Sequence, residues 1–290
     1  MCYCFWVKKN ISHALLSLVI FFLLFLVCFP YFTASFLQVR LQTEKEEDYQ
    51  QFLKEELAKK EAEENADYVL YLTGKFDPAQ REYFILLPTD HTTIERSKDK
   101  IYLRKEAYGA FLNMREAALQ GGIDLKIASA TRNFDYQKKI WNNKWTGYTI
   151  VDGQDLSKSI PDGLERFEKI LEYSAVPGAS RHHWGTDIDI NDANPEYFVT
   201  QNGKKVYEWL VQNASTFGFC QTYSVKNYTR PTGYSEEKWH WSYLPLARTF
   251  TEEYENLITD NDIKGFNGDK YVHSLDLIDN YVLGINPDCI

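Results

Sequence analysis

An uncharged apolar run near the N-terminus constrains this chain more than any other feature. Residues 14–32 carry no charge, and from Ala14 to Cys28 the side chains are apolar apart from Ser17. These 19 residues in a helix are long enough to cross a hydrocarbon core of about 30 Å. The run therefore predicts a transmembrane helix, and a buried helix of a soluble core is disfavoured because no polar residues mark a face.

The flanks of the run orient it and leave two outcomes open. Lys8 and Lys9 precede it without an acidic residue nearby, which favours a cytoplasmic N-terminus and export of the rest of the chain. Pro30 is expected to kink or stop the helix. The small residues 33–35 resemble a signal-peptide cleavage site, but the run is longer than a usual signal-peptide core. We favour an uncleaved anchor over a cleaved signal, and both place the remaining chain outside the cytoplasm.

A charged segment follows and predicts a helical stalk over residues 37–67. Residues 43–67 hold ten acidic residues, four Lys and neither Gly nor Pro. Thr43 and Glu46 have the spacing of a helix-capping box. Four apolar residues follow the spacing of one helix face, namely Tyr49, Phe52, Leu53 and Leu57. A solvated spacer is favoured, and a short coiled-coil dimer is the alternative.

The composition is that of an ordered protein. The chain is 44% hydrophobic and 16% aromatic, which excludes a disordered or low-complexity protein. Its net charge of −9 argues against a nucleic-acid-binding protein, and five Cys in 290 residues exclude a disulfide scaffold. We expect three parts: residues 1–36 as cytoplasmic tip and transmembrane helix, 37–67 as stalk, and 68–290 as one functional domain.

Hydropathy patterns in the last part predict an α+β fold, because separate helices are mixed with short strands and no repeat is present. Helices are predicted at 103–118, 133–141, 164–173, 206–217 and 246–257, and strands at 125–128, 186–190 and 239–243. Gly121 and Gly122 are expected to end the first of these helices.

Three of the six His residues cluster with acidic residues in two short segments, 180–189 and 236–241. A catalytic zinc site takes about three ligands from His and carboxylate side chains and leaves one position for water. His182, Asp189 and His240 supply such a set. The pattern therefore predicts a zinc site, although a His pair and a Trp-flanked His also occur in ordinary cores.

Acidic residues beside these ligands complete the predicted chemistry. Asp187 shares a strand face with Asp189, so we expect it to support the site rather than bind the metal. Hydrolysis also needs a proton carrier, and Glu237 lies three residues before His240. In a flat strand these two side chains point to opposite faces, so a bend near Lys238 is required.

The motifs resemble those of the VanY-type zinc D-Ala-D-Ala carboxypeptidases, which share a fold with the VanX dipeptidases and the Hedgehog amino-terminal domain. The family pattern Ser-x-His-x-x-Gly-x-Ala-x-Asp is matched by Ser180, His182, Gly185 and Asp189. The later pattern Glu-x-Trp-His is matched by Glu237, Trp239 and His240. An Arg followed five positions later by Gln, after a strand, is matched by Arg132 and Gln137. The resemblance covers about residues 103–246.

This resemblance implies a single Hedgehog/DD-peptidase-like catalytic domain, with a small antiparallel sheet flanked by helices. It implies Zn²⁺ ligands at His182, Asp189 and His240, and a general base and acid at Glu237. It further implies that Arg132 stabilises negative charge on the scissile carbonyl oxygen, and that Ser180 and Gln137 line the substrate pocket.

The implied activity is removal of a terminal D-Ala from peptidoglycan stem peptides by a membrane-anchored enzyme. Three positions depart from the family pattern, namely Thr131, Asp187 and Lys238, and all three neighbour the pocket. L,D-carboxypeptidase, D-Ala-D-Ala dipeptidase and endopeptidase activities therefore stay open, and the segment 141–177 is expected to shape the pocket. A zinc-stabilised module that binds cell wall or a partner protein without cutting is the alternative, but Glu237 and Arg132 favour catalysis.

Cys220 and Cys289 are the two Cys residues of the exported part. They could form a disulfide in an oxidising compartment, but buried free thiols are the plainer interpretation.

Overall fold

The computed structural model describes residues 3–93, 100–172 and 174–290, and their side chains from residue 15 onward. The chain divides into two compact units, residues 1–64 and residues 65–290. The predicted boundaries at residues 36 and 67 stay predictions.

Helix α1 runs from Tyr3 to Leu72 as one element of 70 residues. The helix therefore does not stop at Pro30, which was one of the two outcomes expected there, and the predicted cap at Thr43 is wrong. A proline removes one backbone hydrogen bond, and an apolar helix continues past it because ending there leaves several backbone groups unpaired. The Oγ1 of Thr43 donates to the carbonyl oxygens of Val39 and Arg40, which places this residue inside the helix.

The part of α1 from Leu15 onward is long and apolar enough to cross a membrane, with a mean hydropathy of 2.7 over an 18-residue window. Its large apolar side chains, such as Phe21 and Phe22, are exposed. A signal sequence near an N-terminus meets the same criteria. The helix is thus compatible with both outcomes expected from the sequence.

Residues 65–290 have an α+β fold, as predicted. The strands are β1 (Phe84–Leu86), β2 (Tyr102–Arg104), β3 (Ile127–Ser129), β4 (Asp187–Ile190), β5 (Phe219–Gln221) and β6 (His240–Tyr243). The helices after α1 are α2 (Lys105–Gln120), α3 (Phe134–Trp145), α4 (Leu156–Ser159), α5 (Leu164–Leu171), α6 (Gln201–Asn213) and α7 (Leu244–Leu257).

The central sheet has four antiparallel strands in the order β3-β4-β6-β5. Ile188 and Ile190 of β4 are fully buried among apolar side chains of α2 and α6. Side chains alternate along a strand, so Asp187 and Asp189 lie on the opposite face. The register pairs Asp189 with His240 across β4 and β6. Two of the predicted metal ligands, which are distant in sequence, are thereby held side by side.

Two apolar clusters enclose this sheet. One packs α2 against the sheet around Phe111, Met114 and Ile127, and the other gathers aromatic residues of α3, α5 and α7, such as Trp141 and Phe167. Together they make the sheet a rigid support whose polar face carries the functional residues.

Most predicted elements are confirmed, with shifted ends. Leu103 is an exception, because it lies in β2 opposite Ile85 and not in α2. The backbone at Arg104 is extended, so α2 begins only at Lys105 and ends at Gly121, as expected. Helix α5 ends at Leu171, and Tyr173, the predicted last residue, lies outside the described residues.

Cys220 and Cys289 form a disulfide, with their Cα atoms 5.7 Å apart, so the free-thiol interpretation is wrong. The bond joins edge strand β5 to the last turn of the chain. Asn286 strengthens the same junction, since its backbone N–H donates to the carbonyl of Thr222. The C-terminal segment is therefore fixed to the sheet.

Replacing both residues by Ser should lower the free energy of unfolding by about 2–4 kcal/mol, because the unfolded chain regains the freedom of a long loop. Urea unfolding of the full chain in detergent micelles measures the change. Cys28→Ser is the control, since Cys28 is exposed and unpaired. An unchanged urea midpoint in the double variant would contradict the stabilising role.

Candidate metal centre and active site

The three predicted ligands converge from two strands and one turn. Asp189 is on β4 and His240 begins β6, while His182 lies in the helical turn Arg181–Trp184 that precedes β4. Gly185 ends this turn with φ +72°, and a Cβ at Gly185 would lie 2.3 Å from the ring of Phe84. Only glycine allows this return of the chain toward the sheet.

The candidate ligand atoms of these three residues lie within 4.8 Å of one another. The Nε2 of His182 is 3.4 Å from Oδ1 of Asp189, and the Nδ1 of His240 is 3.6 Å from the same oxygen. The three side chains are almost completely buried. The predicted grouping of His182, Asp189 and His240 is therefore present in the fold.

Hydrogen bonds on the far side of each ring turn the other ring nitrogen toward Asp189. The Nδ1 of His182 contacts the carbonyl oxygen of Ala130 at 2.7 Å, and this oxygen only accepts, so the proton is on Nδ1. The Nε2 of His240 lies 2.8 Å from Oδ2 of Asp187 and donates to it. The second nitrogen of each ring, Nε2 of His182 and Nδ1 of His240, then faces Asp189.

The group fits a divalent cation because one of its oxygens lacks a partner. Oδ1 of Asp189 is buried and accepts no hydrogen bond from the described residues. A buried carboxylate oxygen without a hydrogen-bond partner is costly, and a cation bound to this oxygen and to the two nearby imidazole nitrogens would remove that cost. Two imidazoles and one carboxylate are also a donor set that zinc takes in catalytic sites.

Asp187 anchors His240 from behind, in agreement with its predicted supporting position. Its two oxygens accept from Thr186, Ser242, Arg181 and His240. Burial by itself raises the pKa of Asp187, but Arg181 and His240 outweigh it and hold the pKa well below its usual range. Asp187 therefore stays ionised and orients the imidazole.

Glu237 lies beside the ligands because the chain bends where the sequence required it. Residues 238–239 form a turn, and β6 begins only at His240. One carboxylate oxygen of Glu237 is 3.1 Å from Nδ1 of His240. Burial raises the pKa of Glu237 above its usual range, although the contact with His240 opposes this. A raised pKa suits a group that takes and returns a proton near neutral pH.

Arg132 faces the same group from the loop after β3. Its guanidinium donates to Oδ2 of Asp189 at 2.5 Å and to the hydroxyl of Ser129 at 2.8 Å. Among the described residues its ion-pair partner is Asp189. A fixed cation is thus present next to the candidate ligands.

Gln137 supports Arg132 from the first turns of α3. Its carbonyl oxygen accepts from Arg132 at 3.5 Å, and its amide nitrogen donates to the carbonyl of Ala175 at 2.7 Å. The side chain is 1% exposed and does not line the cavity in front of the site. The structure therefore places Gln137 behind Arg132 rather than in the pocket lining.

His183 is a supporting residue that the sequence did not reveal. Its Nδ1 contacts the carbonyl oxygen of Arg132 at 2.5 Å, and its Nε2 accepts from the N–H of Gly178 at 3.0 Å. Burial lowers the pKa of His183 to about 3, so the ring stays neutral. The adjacent His pair drew attention to this segment, but only the fold shows that His183 holds the loop of Arg132.

A cavity of about 760 Å³ opens in front of these groups. Six of the predicted residues line it: Arg132, Ser180, His182, Asp189, Glu237 and His240. Ser180 is 2% exposed at the cavity surface. The segment 141–177 contributes residues 149–152 together with Lys144 and Ser174, so it shapes the pocket as expected.

Asp187→Asn should weaken zinc binding about 10- to 100-fold, the range found when a carboxylate behind a ligating His is replaced. The amide lacks the charge that orients His240 and leaves Arg181 without its counter-ion. Competition with a chromophoric chelator measures the zinc affinity. Asp260→Asn is a matched control, because Asp260 contacts the exposed His273. Equal zinc affinity in Asp187→Asn and the native protein would contradict this role.

Sequence comparison places the site in a known family. A family model described as VanY, D-alanyl-D-alanine carboxypeptidase, matches residues 100–246. YodJ of Bacillus subtilis (strain 168) is 29% identical over 198 residues, which are 66% of this chain and 61% of that protein. A D-alanyl-D-alanine carboxypeptidase of Enterococcus faecalis (strain ATCC 700802 / V583) is 27% identical over 192 residues, 63% of this chain and 66% of that protein. The chain thus spans less than two thirds of the length of both relatives.

Two solved structures are similar as well. VanYB in complex with D-alanine-D-alanine is 25% identical, with a TM-score of 0.44 and coverage of 62% of this chain and 87% of that one. The LdcB LD-carboxypeptidase is 27% identical, with a TM-score of 0.44, and the match covers 64% of this chain and 81% of that one. Both TM-scores are low, so the assignment rests on the family model, which spans half of the chain. The chain belongs to the VanY family of D-alanyl-D-alanine carboxypeptidases.

Proposed function

We propose that the protein is a zinc-dependent carboxypeptidase that removes a C-terminal D-amino acid, D-Ala from a D-Ala-D-Ala end, from peptidoglycan stem peptides. The observation that carries this proposal is the buried carboxylate of Glu237 beside His240, whose ring, together with His182, faces an oxygen of Asp189 that has no hydrogen-bond partner among the described residues. This is a proton carrier placed beside a cation site at the end of an open cavity.

His182, Asp189 and His240 are the residues that would hold the zinc ion. When bound, zinc supplies Lewis acidity, which lowers the pKa of water and polarises a peptide carbonyl. The side chain of Glu237 is not needed as a fourth ligand. It is available to accept a proton from the attacking water and to return it to the leaving amine.

Arg132 suits stabilisation of the charge that develops on the scissile carbonyl oxygen. Its guanidinium is held by Ser129, Gln137 and Asp189 before substrate enters, so little reorganisation is needed during the reaction. Gln137 acts here through Arg132, as a positioning residue. Ser180 lines the cavity and is proposed to contact the substrate.

The family supports the substrate class, since its model is described as a D-alanyl-D-alanine carboxypeptidase and the Enterococcus faecalis relative carries that name. The apolar helix from Leu15 supports attachment to the membrane. The disulfide between Cys220 and Cys289 fits an oxidising compartment outside the cytoplasm. We therefore propose a single-pass anchored enzyme that faces the cell wall.

Digestion of defined muropeptides by the full chain, followed by mass spectrometry, tests the activity. The expected product from a pentapeptide ending in D-Ala-D-Ala is the tetrapeptide and free D-Ala, and chelation of the metal should stop its release. Release of the intact dipeptide D-Ala-D-Ala from the pentapeptide would indicate the dipeptide-releasing alternative. Removal of the last residue from tetrapeptides would indicate an L,D-carboxypeptidase, and cleavage of cross-links would indicate an endopeptidase. Tight binding of muropeptides by the zinc-loaded protein without any product would favour the non-catalytic module.

Glu237→Gln should lower kcat for D-Ala release by about 10²- to 10⁴-fold, the usual contribution of general acid–base catalysis. Zinc content should stay the same, because the ligand set is complete without Glu237. The neighbouring Glu236 contacts Tyr207 and Lys238, which makes Glu236→Gln a control that should keep its activity. Full activity in Glu237→Gln would rule out the proposed mechanism.

A further inference from the structure

A lysine that pairs with no carboxylate of the described residues lies in the wall of the active-site cavity. Lys144 belongs to the last turn of α3, and its ammonium donates a hydrogen bond to the hydroxyl of Ser174. Both residues line the cavity. The negative charges of Asp152 and Glu237 favour the charged form of Lys144. Asp152, however, pairs with Lys169, and Glu237 contacts His240. Among the residues that the structure describes, no carboxylate is paired with Lys144.

Helix α3 brings this lysine next to the proposed catalytic groups. Gln137 and Lys144 are seven residues apart, so they share one face of the helix. Gln137 bonds to Arg132 and to the carbonyl of Ala175, and Ser174 precedes Ala175. Lys144, Ser174 and Arg132 therefore line the same cavity, and the two cations are near enough for the charge of Arg132 to act on Lys144.

The ammonium of Lys144 has no ion-paired carboxylate among the described residues, and the more distant Glu237 and Asp152 offset only part of the cost of its burial. Burial lowers the pKa of Lys144, and the positive charge of Arg132 lowers it further. A partly buried cation beside another cation is costly without a counter-ion. An anion that enters the cavity would bind here through a charge-assisted hydrogen bond.

We propose that Lys144 and Ser174 bind the free C-terminal carboxylate of the substrate. This inference rests on the proposed function, in which the scissile carbonyl oxygen faces Arg132. The terminal carboxylate lies one residue beyond that carbonyl, which is a span of at most about 3.6 Å. Lys144, a second cation in the wall of the same cavity as Arg132, is the group we assign to this carboxylate. The site then selects peptides with a free carboxyl end and excludes cuts within a cross-link.

The test compares two stem pentapeptides, one with a free D-Ala carboxylate and one with a C-terminal amide, on the full chain in detergent micelles. Turnover is measured in the native background, and binding is measured by calorimetry in the inactive Glu237→Gln background. The variants are Lys144→Met, which removes the charge, and Lys144→Arg, which keeps it. Lys138→Met is the matched control, since Lys138 is in the same helix and does not line the cavity.

The native protein should favour the acid over the amide in both kcat/KM and affinity. Lys144→Met should reduce this preference about 10- to 100-fold, as expected for the loss of a hydrogen bond to a charged group. Lys144→Arg should retain most of it, and Lys138→Met should retain all of it. An unchanged preference in Lys144→Met would overturn the assignment of Lys144 while D-Ala release still supports the proposed function. Absence of both binding and cleavage of the free-acid peptide would overturn the two together.

Discussion

The candidate active site depends on how one buried carboxylate is placed. The register of β4 and β6 sets Asp189 directly opposite His240, and the turn before β4 adds His182. One oxygen of Asp189 bonds to Arg132, and the other has no hydrogen-bond partner among the described residues. The backbone at Ala130 and the carboxylate of Asp187 turn both imidazole protons away from that oxygen. Two imidazole nitrogens and one carboxylate oxygen then meet in a buried place, where a divalent cation would bind all three.

A second constraint is the separation of two carboxylates on one strand face. Asp187 and Asp189 are both fully buried, and each has its own arginine, Arg181 for the first and Arg132 for the second. Burial alone would raise the pKa of both carboxyl groups, yet their cationic neighbours keep both pKa values low. Asp187 stands where the family pattern has Ala, so the pair of Asp187 with Arg181 is an additional support that this chain gives to His240.

Much of the site could be predicted from local patterns. The candidate ligands and Glu237 were predicted from short motifs, because the residue types and spacings in these motifs are those that a catalytic zinc site needs. The bend at Lys238 followed from strand geometry alone, because Glu237 and His240 otherwise point apart.

Other features depend on contacts between distant segments, which local patterns do not contain. Gln137 was expected in the pocket, but its bond to Ala175 places it behind Arg132. The disulfide could be predicted only by knowing that the C-terminal turn lies against β5. The role of His183 could be predicted only by knowing that its ring contacts the backbone of Arg132. Pro30 and Thr43 carried local signals for helix ends, and the continuous helix α1 overrides both.

X-ray absorption at the zinc edge of the purified chain tests the central claim most directly. A centre built from His182, Asp189 and His240 predicts about one zinc per chain, with two imidazole nitrogens and carboxylate or water oxygens at about 2.0–2.2 Å. In His240→Ala the number of imidazoles that scatter around the zinc should fall from two to one. A chain that takes up no zinc, or a spectrum without imidazole scattering that is the same in His240→Ala, would contradict the account.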